Sequence, residues 1–259
     1  MFVVEIVFKH KHSYDIEQVQ DVIQHLLGIL RMNGQILGRE YPVAIDQENY
    51  RTYLLIPEEN SLDESRTNTY GLKSLNKLNE LDIEYSWKII GTEPYSESVC
   101  QCTNSKFYIL YTTYLSLEAP IRCGDCFGII PLYRLPAPSS GEYTEIITWE
   151  SDYKACDTLQ MNCSTGERFG ILQLSKYESS LTKRGIDICK RITVSTGVPT
   201  YYYLLKSTGK GIKAEQTRRC PSCGSEWLLQ EPLHGLFDFR CDQCKILSNI
   251  AWSVRSKGR

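Results

Sequence analysis

The chain has 259 residues, 42% of them hydrophobic and 23% charged, with a formal net charge of −2. That balance excludes wholesale disorder, and no apolar run approaches the roughly 18 residues a membrane span needs. Met1–Phe8 is too short for an export signal and carries Glu5, so it reads as a first strand and the cytoplasm is the expected location.

The first ninety residues read as β-α-β-β-α-β. Phe2–Phe8 is a β-branched and aromatic run. A helix is predicted from Asp15 to Met32, because Ile16, Val19, Ile23, Leu26 and Leu30 recur at steps of 3, 4, 3 and 4. Asn33-Gly34 stops it. Tyr41–Ile45 and Tyr50–Ile56 are strand candidates around a polar turn. Ser61-Leu-Asp-Glu64 has the form of a capping box, with Leu72, Leu75 and Leu78 on the inner face of the helix it would open. Ile83–Ile90 is the fourth strand. This order predicts a ferredoxin-like split β-α-β sandwich over 1–94, a fold that by itself implies no activity.

A cysteine-bearing insert, itself a candidate zinc ribbon, runs over 95–138 and ends in the rigid Pro131-Leu-Tyr-Arg-Leu-Pro-Ala-Pro138. A helix-rich α/β part follows over 139–205. Its expected elements are a helix at Glu142–Cys163, with Ile146, Trp149, Tyr153, Cys156 and Leu159 on one face, and a strand at Phe169–Leu174. A helix at Ser180–Thr196 and a tyrosine-rich strand at Thr200–Leu205 complete it. Residues 206–217 read as a polar linker, and 218–259 as a C-terminal ribbon. The fold class expected is therefore α+β: a ferredoxin-like unit, a second α/β part and zinc-ribbon elements.

Eleven cysteines in a long chain, eight of them in close pairs, suit metal binding better than a disulfide framework. Cys220-Pro-Ser-Cys223 and Cys241-Asp-Gln-Cys244 are C-x₂-C knuckles seventeen residues apart. A C-x₂-C turn presents two sulfurs to one ion, and the span between the knuckles holds two strands, Trp227–Leu229 and Leu236–Phe239, with a turn. Four thiolates fill a tetrahedron, so the predicted Zn²⁺ is structural. The competing reading is a pair of redox dithiols or bare turns. Cys100-Gln-Cys102 and Cys123-Gly-Asp-Cys126 flank the strand candidate Phe107–Tyr114 and form a second expected zinc site, against the alternative of ordinary buried thiols. Cys156, Cys163 and Cys189 lie on predicted helices and read as core packing. His234 reads as a turn residue, and His10-Lys-His12 as a polar strand end.

The chain lacks H-E-x-x-H, G-x-S-x-G, the phosphate-loop pattern and the deaminase H-x-E, so no enzyme is expected. Lys206–Arg259 carries ten Lys/Arg and five Asp/Glu, a net of +5, and Met1–Leu205 carries the balancing −7. A zinc held by four thiolates lowers the ribbon region to about +3. Lys206, Lys210, Lys213, Arg218, Arg219, Arg240 and Lys245, with Arg255, Lys257 and Arg259 in the tail, could form a phosphate-contacting face with Trp227, Phe237 and Phe239 as stacking platforms. The plainer reading puts the aromatics in the ribbon's small core and the charges in water.

The cysteine pairs, Cys123-Gly-Asp-Cys-Phe-Gly-Ile-Ile-Pro-Leu-Tyr-Arg-Leu-Pro136 and Thr196-Gly-Val-Pro-Thr-Tyr-Tyr-Tyr-Leu204 together resemble a bacterial family over nearly the whole chain. Its description pairs a zinc ribbon with nucleic-acid binding and assigns no function. The resemblance further implies kinship with immunity proteins encoded beside secreted antibacterial toxins, some of them nucleases. Two roles are therefore expected to compete. In one, an immunity protein blocks a cognate toxin, its acidic body steering a basic partner. In the other, the ribbon binds nucleic acid and weakens steeply with salt.

Overall fold

Phe2–His10 forms β1, the central strand of a four-stranded antiparallel sheet. The computed structural model describes residues 1–10, 15–46 and 49–255. It divides them into two units, and β1 belongs to the first: Met1–Val99, Leu117–Ala119 and Gly128–Thr144. β1 pairs with β3 (Asn49–Ile56) on one side and β4 (Ile83–Thr92) on the other. Short β2 (Ala44–Asp46) completes the order β2-β3-β1-β4.

Strand alternation sends Val4, Ile6 and Phe8 of β1 and Leu54 and Ile56 of β3 to one face. Val19, Ile23, Leu26, Leu27 and Leu30 of α1 (Ile16–Met32) join them in a single apolar core. Asp15 caps α1 by accepting from the Glu17 N–H at 3.2 Å. Gly34 ends it in a left-handed conformation (φ +74), and the Gln35 N–H returns to the Leu30 carbonyl at 2.9 Å. On the sheet's other face Glu5 is buried between its cross-strand neighbours. It receives Lys88 Nζ at 2.8 Å, Arg51 Nη1 at 3.0 Å and the Tyr53 hydroxyl at 3.1 Å.

Three expectations for this unit differ from what forms. Ile16 lies at the exposed first turn of α1, clear of the core. Tyr41–Val43 are coil, and the edge strand is confined to Ala44–Asp46. Ser61 opens no helix: its hydroxyl donates to the Glu58 carbonyl at 2.8 Å and accepts from the Glu58 N–H at 2.9 Å, closing a local turn. α2 starts later, at Thr69–Glu80, where Asn68 accepts from the Gly71 N–H at 2.9 Å. That phase buries Leu78, leaves Leu75 half-buried and turns Leu72 to solvent.

The second unit comprises Cys100–Ser116, Pro120–Phe127 and Glu145–Arg259. Its six-stranded sheet gathers β5 (Tyr108–Leu110), β6 (Ile121–Cys123), β7 (Thr200–Leu204), β8 (Leu228–Leu233), β9 (Phe237–Cys241) and β10 (Ile246–Ser248) in the order β6-β5-β7-β10-β9-β8. β7 runs parallel to β5 and to β10, and the remaining pairs are antiparallel. All five residues of β7 are buried, as expected of a strand covered on both faces.

Helices α3 (Thr144–Met161), α4 (Glu167–Ser175) and α5 (Ser180–Thr196) belong to this part. Trp149 is fully buried, donates to the Leu181 carbonyl at 3.2 Å and meets Tyr202 of β7 edge-on at 6.0 Å. α5 can pass this close only at Gly185, where a Cβ would stand 2.2 Å from the Tyr202 ring. Phe169–Leu174, expected as a strand, lies within α4: Gly170 there packs so closely that a Cβ would stand 2.4 Å from the Cys156 carbonyl oxygen. α3 ends before Cys163, which is exposed and left-handed (φ +50) and so does not pack in the core; Cys156 and Cys189 do.

Residues 206–217 are docked against Asn249–Ser253 and hold α6 (Ile212–Gln216). Buried Asn249 accepts from the Lys206 N–H at 2.8 Å and the Tyr203 hydroxyl at 2.9 Å, and donates to the Lys206 and Ile250 carbonyls. Buried Glu215 accepts from the Ala251 N–H at 3.3 Å and pairs with Arg218. Among the described residues no helix is long and apolar enough to cross a membrane.

Two candidate metal centres

One knuckle of each centre is a turn at the end of a short strand in the second sheet. Cys241 closes β9 and β10 begins at Ile246, whose partner across the ladder is Cys241, so Cys241-Asp-Gln-Cys244 is the hairpin turn itself. Cys123 closes β6 in the same way and is followed by Gly124-Asp-Cys126. The residue after each of these knuckles is left-handed, Lys245 at φ +56 and Phe127 at φ +63. Gly224, after Cys220-Pro-Ser-Cys223, is left-handed too, at φ +72. The Phe127 N–H returns to the Cys123 carbonyl, and the Gly224 N–H to the Cys220 carbonyl, both at 2.9 Å. These bonds curl each turn so that both of its sulfurs face one point. Cys100-Gln-Cys102 has one residue fewer; its Cys102 N–H points at the Cys100 sulfur at 3.3 Å.

The structure brings the eight expected ligands together as two tetrads, Cys100, Cys102, Cys123 and Cys126, and Cys220, Cys223, Cys241 and Cys244. Within each, the sulfurs lie within 4.8 Å of one another, and the Cys223 and Cys241 sulfurs are 3.6 Å apart. Tetrahedral thiolates about 2.3 Å from a metal stand about 3.8 Å apart, so both cradles have the size for one ion. Each tetrad could hold a metal ion, in a zinc-ribbon-like arrangement.

The residues between the ligands serve the turns. A Cβ on Gly124 would fall 2.2 Å from the Phe107 ring. Asp125 accepts from the Lys106 N–H at 2.7 Å, tying the knuckle to the strand that enters β5. Ser222 donates to the Tyr177 hydroxyl at 3.0 Å.

As thiols, the four members of a tetrad are unequal. Burial pushes Cys100 and Cys241 up to about 12. At Cys123 burial is outweighed by hydrogen bonds from Ser105 and the Cys126 and Asp125 N–H groups, which bring it down to about 7. The Ser225 hydroxyl and N–H hold Cys223 near 6. Each tetrad thus has one thiol ready to ionise and one that a cation would have to ionise, the pattern in which metal binding releases protons.

His234 is a turn residue, at φ +52 on the β8–β9 hairpin, yet it reaches the other centre. Its Nε2 lies 2.8 Å from the Gly124 carbonyl, which can only accept, so Nε2 carries the proton. The ring stacks on Phe127 at 4.9 Å, and Phe127, Tyr111, Tyr203 and Phe237 form one aromatic cluster. No local pattern signals this contact, since it joins residues 110 apart in sequence.

Four of the basic residues near the C-terminal ribbon, Arg218, Arg219, Arg240 and Lys245, have partners within the fold. Arg218 lies over Trp227 and Phe239, at 5.0 and 4.3 Å, and donates to the Asn249 carbonyl at 2.8 Å. Arg240 lies over Phe107 and Tyr201 and donates to Asp242 at 2.6 Å. Arg219 pairs with Glu226 at 2.8 Å, and the Lys245 ammonium stands 5.2 Å from the Tyr201 ring centre. Lys210 and Lys213 are exposed, Lys206 is half-buried, and Arg255 closes α7 (Trp252–Arg255). Lys257, Arg259 and His12 lie outside the described residues; His10 ends β1 beside Tyr50, and His25 is exposed. Trp227 keeps 3% of its surface and Phe237 and Phe239 none, so the three aromatics belong to the ribbon's core and offer no platform for bases.

Three families match consecutive parts of the chain: Domain of unknown function (DUF8589) over residues 1–91, Domain of unknown function (DUF2310) over 102–205 and Domain of unknown function (DUF8594) over 209–254. An uncharacterized protein of Haemophilus influenzae is 30% identical over 98% of this chain and 99% of its own length. A second from the same organism is 35% identical over 64% of this chain and 82% of its own. Crystal structures of an antibiotic biosynthesis monooxygenase, and of a putative one from Deinococcus radiodurans, align with 36% of this chain at 14% identity. They cover 99% and 95% of those chains, with TM-scores of 0.29 and 0.26.

Proposed function

The chain belongs to the same family as the two Haemophilus influenzae proteins, and we propose that it is a two-zinc binding protein that acts by holding another protein and not by catalysis. The observation that carries this reading is the pair of all-cysteine tetrads in one sheet. Four thiolates favour Zn²⁺ among the divalent ions and leave it no open position for a substrate. The metals hold the fold, and the chain's surface supplies the function.

A protein partner is favoured over nucleic acid by the state of the ribbon. Its aromatics are interior, and Arg218, Arg219 and Arg240 are engaged with carboxylates or rings. Charge adds to the case. The first unit carries eighteen Asp/Glu against ten Lys/Arg, a net of −8; the second carries thirteen against nineteen, a net of +6 before two thiolate-bound zincs lower it to about +2. An acidic unit, which we read as a ferredoxin-like sandwich on its strand order, suits a basic partner by steering. A cytoplasmic immunity protein that neutralises a toxin, a nuclease among the candidates, has this character. Eight cysteines reserved for metal also suit a reducing compartment.

The test is a pull-down of the tagged full chain from its native cells at moderate salt, read by mass spectrometry, by absorbance for nucleic acid and by metal analysis. One stoichiometric basic protein with two zincs per chain is the expected result. Co-eluting DNA or RNA that higher salt strips, with no protein partner, would replace this reading with a nucleic-acid-binding one. One zinc per chain would remove the second site.

A further inference from the structure

We propose that the first tetrad is an oxidisable site, at which a peroxide joins Cys102 to Cys126 as a disulfide and expels the metal, while the second tetrad survives. This rests on the reading of both tetrads as metal sites. The two differ in one respect that matters for such chemistry. Cys102 and Cys126 are exposed, whereas in the second tetrad Cys220 and Cys241 are buried and Cys223 and Cys244 half-buried. The exposed pair comes from opposite turns, so a bond between them takes one ligand from each side of the ion.

Local structure points the same way. Gln101–Asn104 are all exposed and belong to no helix or strand. Three of the four turns close on a left-handed residue, Phe127, Lys245 or Gly224; Thr103, which follows Cys102, is not among the left-handed residues described. The Cys102 turn is one residue shorter than the other three and does not close on a left-handed residue. Its sulfur lies within 4.8 Å of that of Cys126, and a disulfide asks these two exposed turns to close that gap. In the second tetrad the corresponding turn is held by the Ser222–Tyr177 hydrogen bond and the Gly224 closure.

The step balances with an alkyl or hydrogen peroxide as oxidant. One thiolate attacks the peroxide, the O–O bond breaks, and a sulfenic acid and an alcohol (water, for hydrogen peroxide) form with uptake of one proton. The other thiolate then displaces the sulfenic oxygen as water with a second proton, and the S–S bond forms. Two electrons leave the two sulfurs and both reach the peroxide. Cys100 and Cys123 remain, and two ligands do not retain the ion.

The experiment uses the full chain, first shown to carry two zincs, with hydrogen peroxide as probe and a chromophoric chelator reporting zinc release. One zinc should leave with the loss of two titratable thiols and the appearance of a Cys102–Cys126 peptide, at least about ten-fold faster than the second. A Cys102→Ser chain should start with one zinc and release none over the same time. Simultaneous loss of both zincs, retention of both in excess peroxide, or a disulfide mapped to Cys223 and Cys244 would overturn the proposal. A starting content other than two would instead overturn the two-metal reading beneath it.

Discussion

Replacing His234 tests whether the second ribbon supports the first metal centre. The side chain contributes one hydrogen bond to the Gly124 carbonyl at 2.8 Å and one ring stack on Phe127 at 4.9 Å. A net hydrogen bond is worth about 1 kcal/mol and a ring pair about 1 kcal/mol beyond its burial. His234→Ala therefore removes about 2 kcal/mol from the knuckle that presents Cys123 and Cys126. If the metal-free knuckle lacks these contacts, the first site binds metal about 30-fold more weakly while the second is unchanged, at about 1.4 kcal/mol per ten-fold. A second variant separates contact from backbone. His234 sits at φ +52, which costs a side-chain-bearing residue about 1 kcal/mol whether or not the first metal is bound, so His234→Gly should raise the stability of the hairpin by about that much relative to alanine yet weaken the first site as far as alanine does. Cadmium-substituted protein gives one NMR resonance per all-thiolate site, and competition with a graded chelator then reads the two affinities separately. Equal weakening at both sites, or less than about two-fold change at the first, would refute the coupling.

Other expectations follow from the same geometry. Cys241→Ser should lose the second tetrad's metal, hold metal more weakly at the first and melt at a lower temperature; full metal content with unchanged stability would contradict a folding role for that metal. Glu5, held at about 2 by Lys88 first and Arg51 next, keeps its charge far below an ordinary carboxylate. Its pKa is lowered on folding, so its contribution is complete above about pH 4.5 and disappears as pH falls towards 2. Glu5→Gln should thus be less stable than the parent at pH 6 and equal to it near pH 2, as followed by denaturant titration; a gap that persists at pH 2 would assign the effect to packing. Gly185→Ala gains about 1 kcal/mol of helix propensity but puts a Cβ 2.2 Å from Tyr202 and 2.8 Å from the Trp149 Nε1. Overpacking of about 1–3 kcal/mol should win, seen as a lower melting temperature, and a rise in stability would show that α5 can shift away.

What could be read from sequence was what local spacing encodes. The 3-4-3-4 apolar steps located α1, Ser180–Thr196 fell at the bounds of α5, and the cysteine spacing picked out all eight members of the tetrads. The failures have a common cause. Ser61-Leu-Asp-Glu64 satisfies the capping-box pattern, but the serine has a nearer partner in Glu58, and Asn68 is free to cap seven residues later. Phe169–Leu174 has a strand's composition, and only contact at Gly170 reveals a helix. Residues 206–217 look like a linker until Asn249 and Glu215 supply the hydrogen bonds that dock them. In each case a partner distant in sequence, or a competing local bond, overrode a weak local preference.

The least legible feature is also the one with most consequence. The cysteine-bearing insert and the C-terminal ribbon lie on either side of β7 in one sheet, parallel to it through β5 and β10. Three-residue strands such as β5, β6 and β10 are too short to be stable alone. β5 and β10 are each held along their length by β7, and β6 by β5, with the Cys123 turn at the end of β6 and the Cys241 turn ahead of β10, while β7 is packed through Tyr202 against Trp149. The two sides are not equally anchored. Beyond β10 the Asn249 and Glu215 clamps fasten the chain to Lys206 and Ala251, and β9 and β8 extend the ladder. Beyond β5 the ladder continues, among the described residues, only to β6 and the Cys123 turn, which leans on His234. Loss of the first metal should then fray β5 and β6 and leave β7-β10-β9-β8 paired, whereas loss of the second removes the hairpin that the first centre rests on. Metal should accordingly leave in a fixed order, the Cys100 tetrad before the Cys220 tetrad.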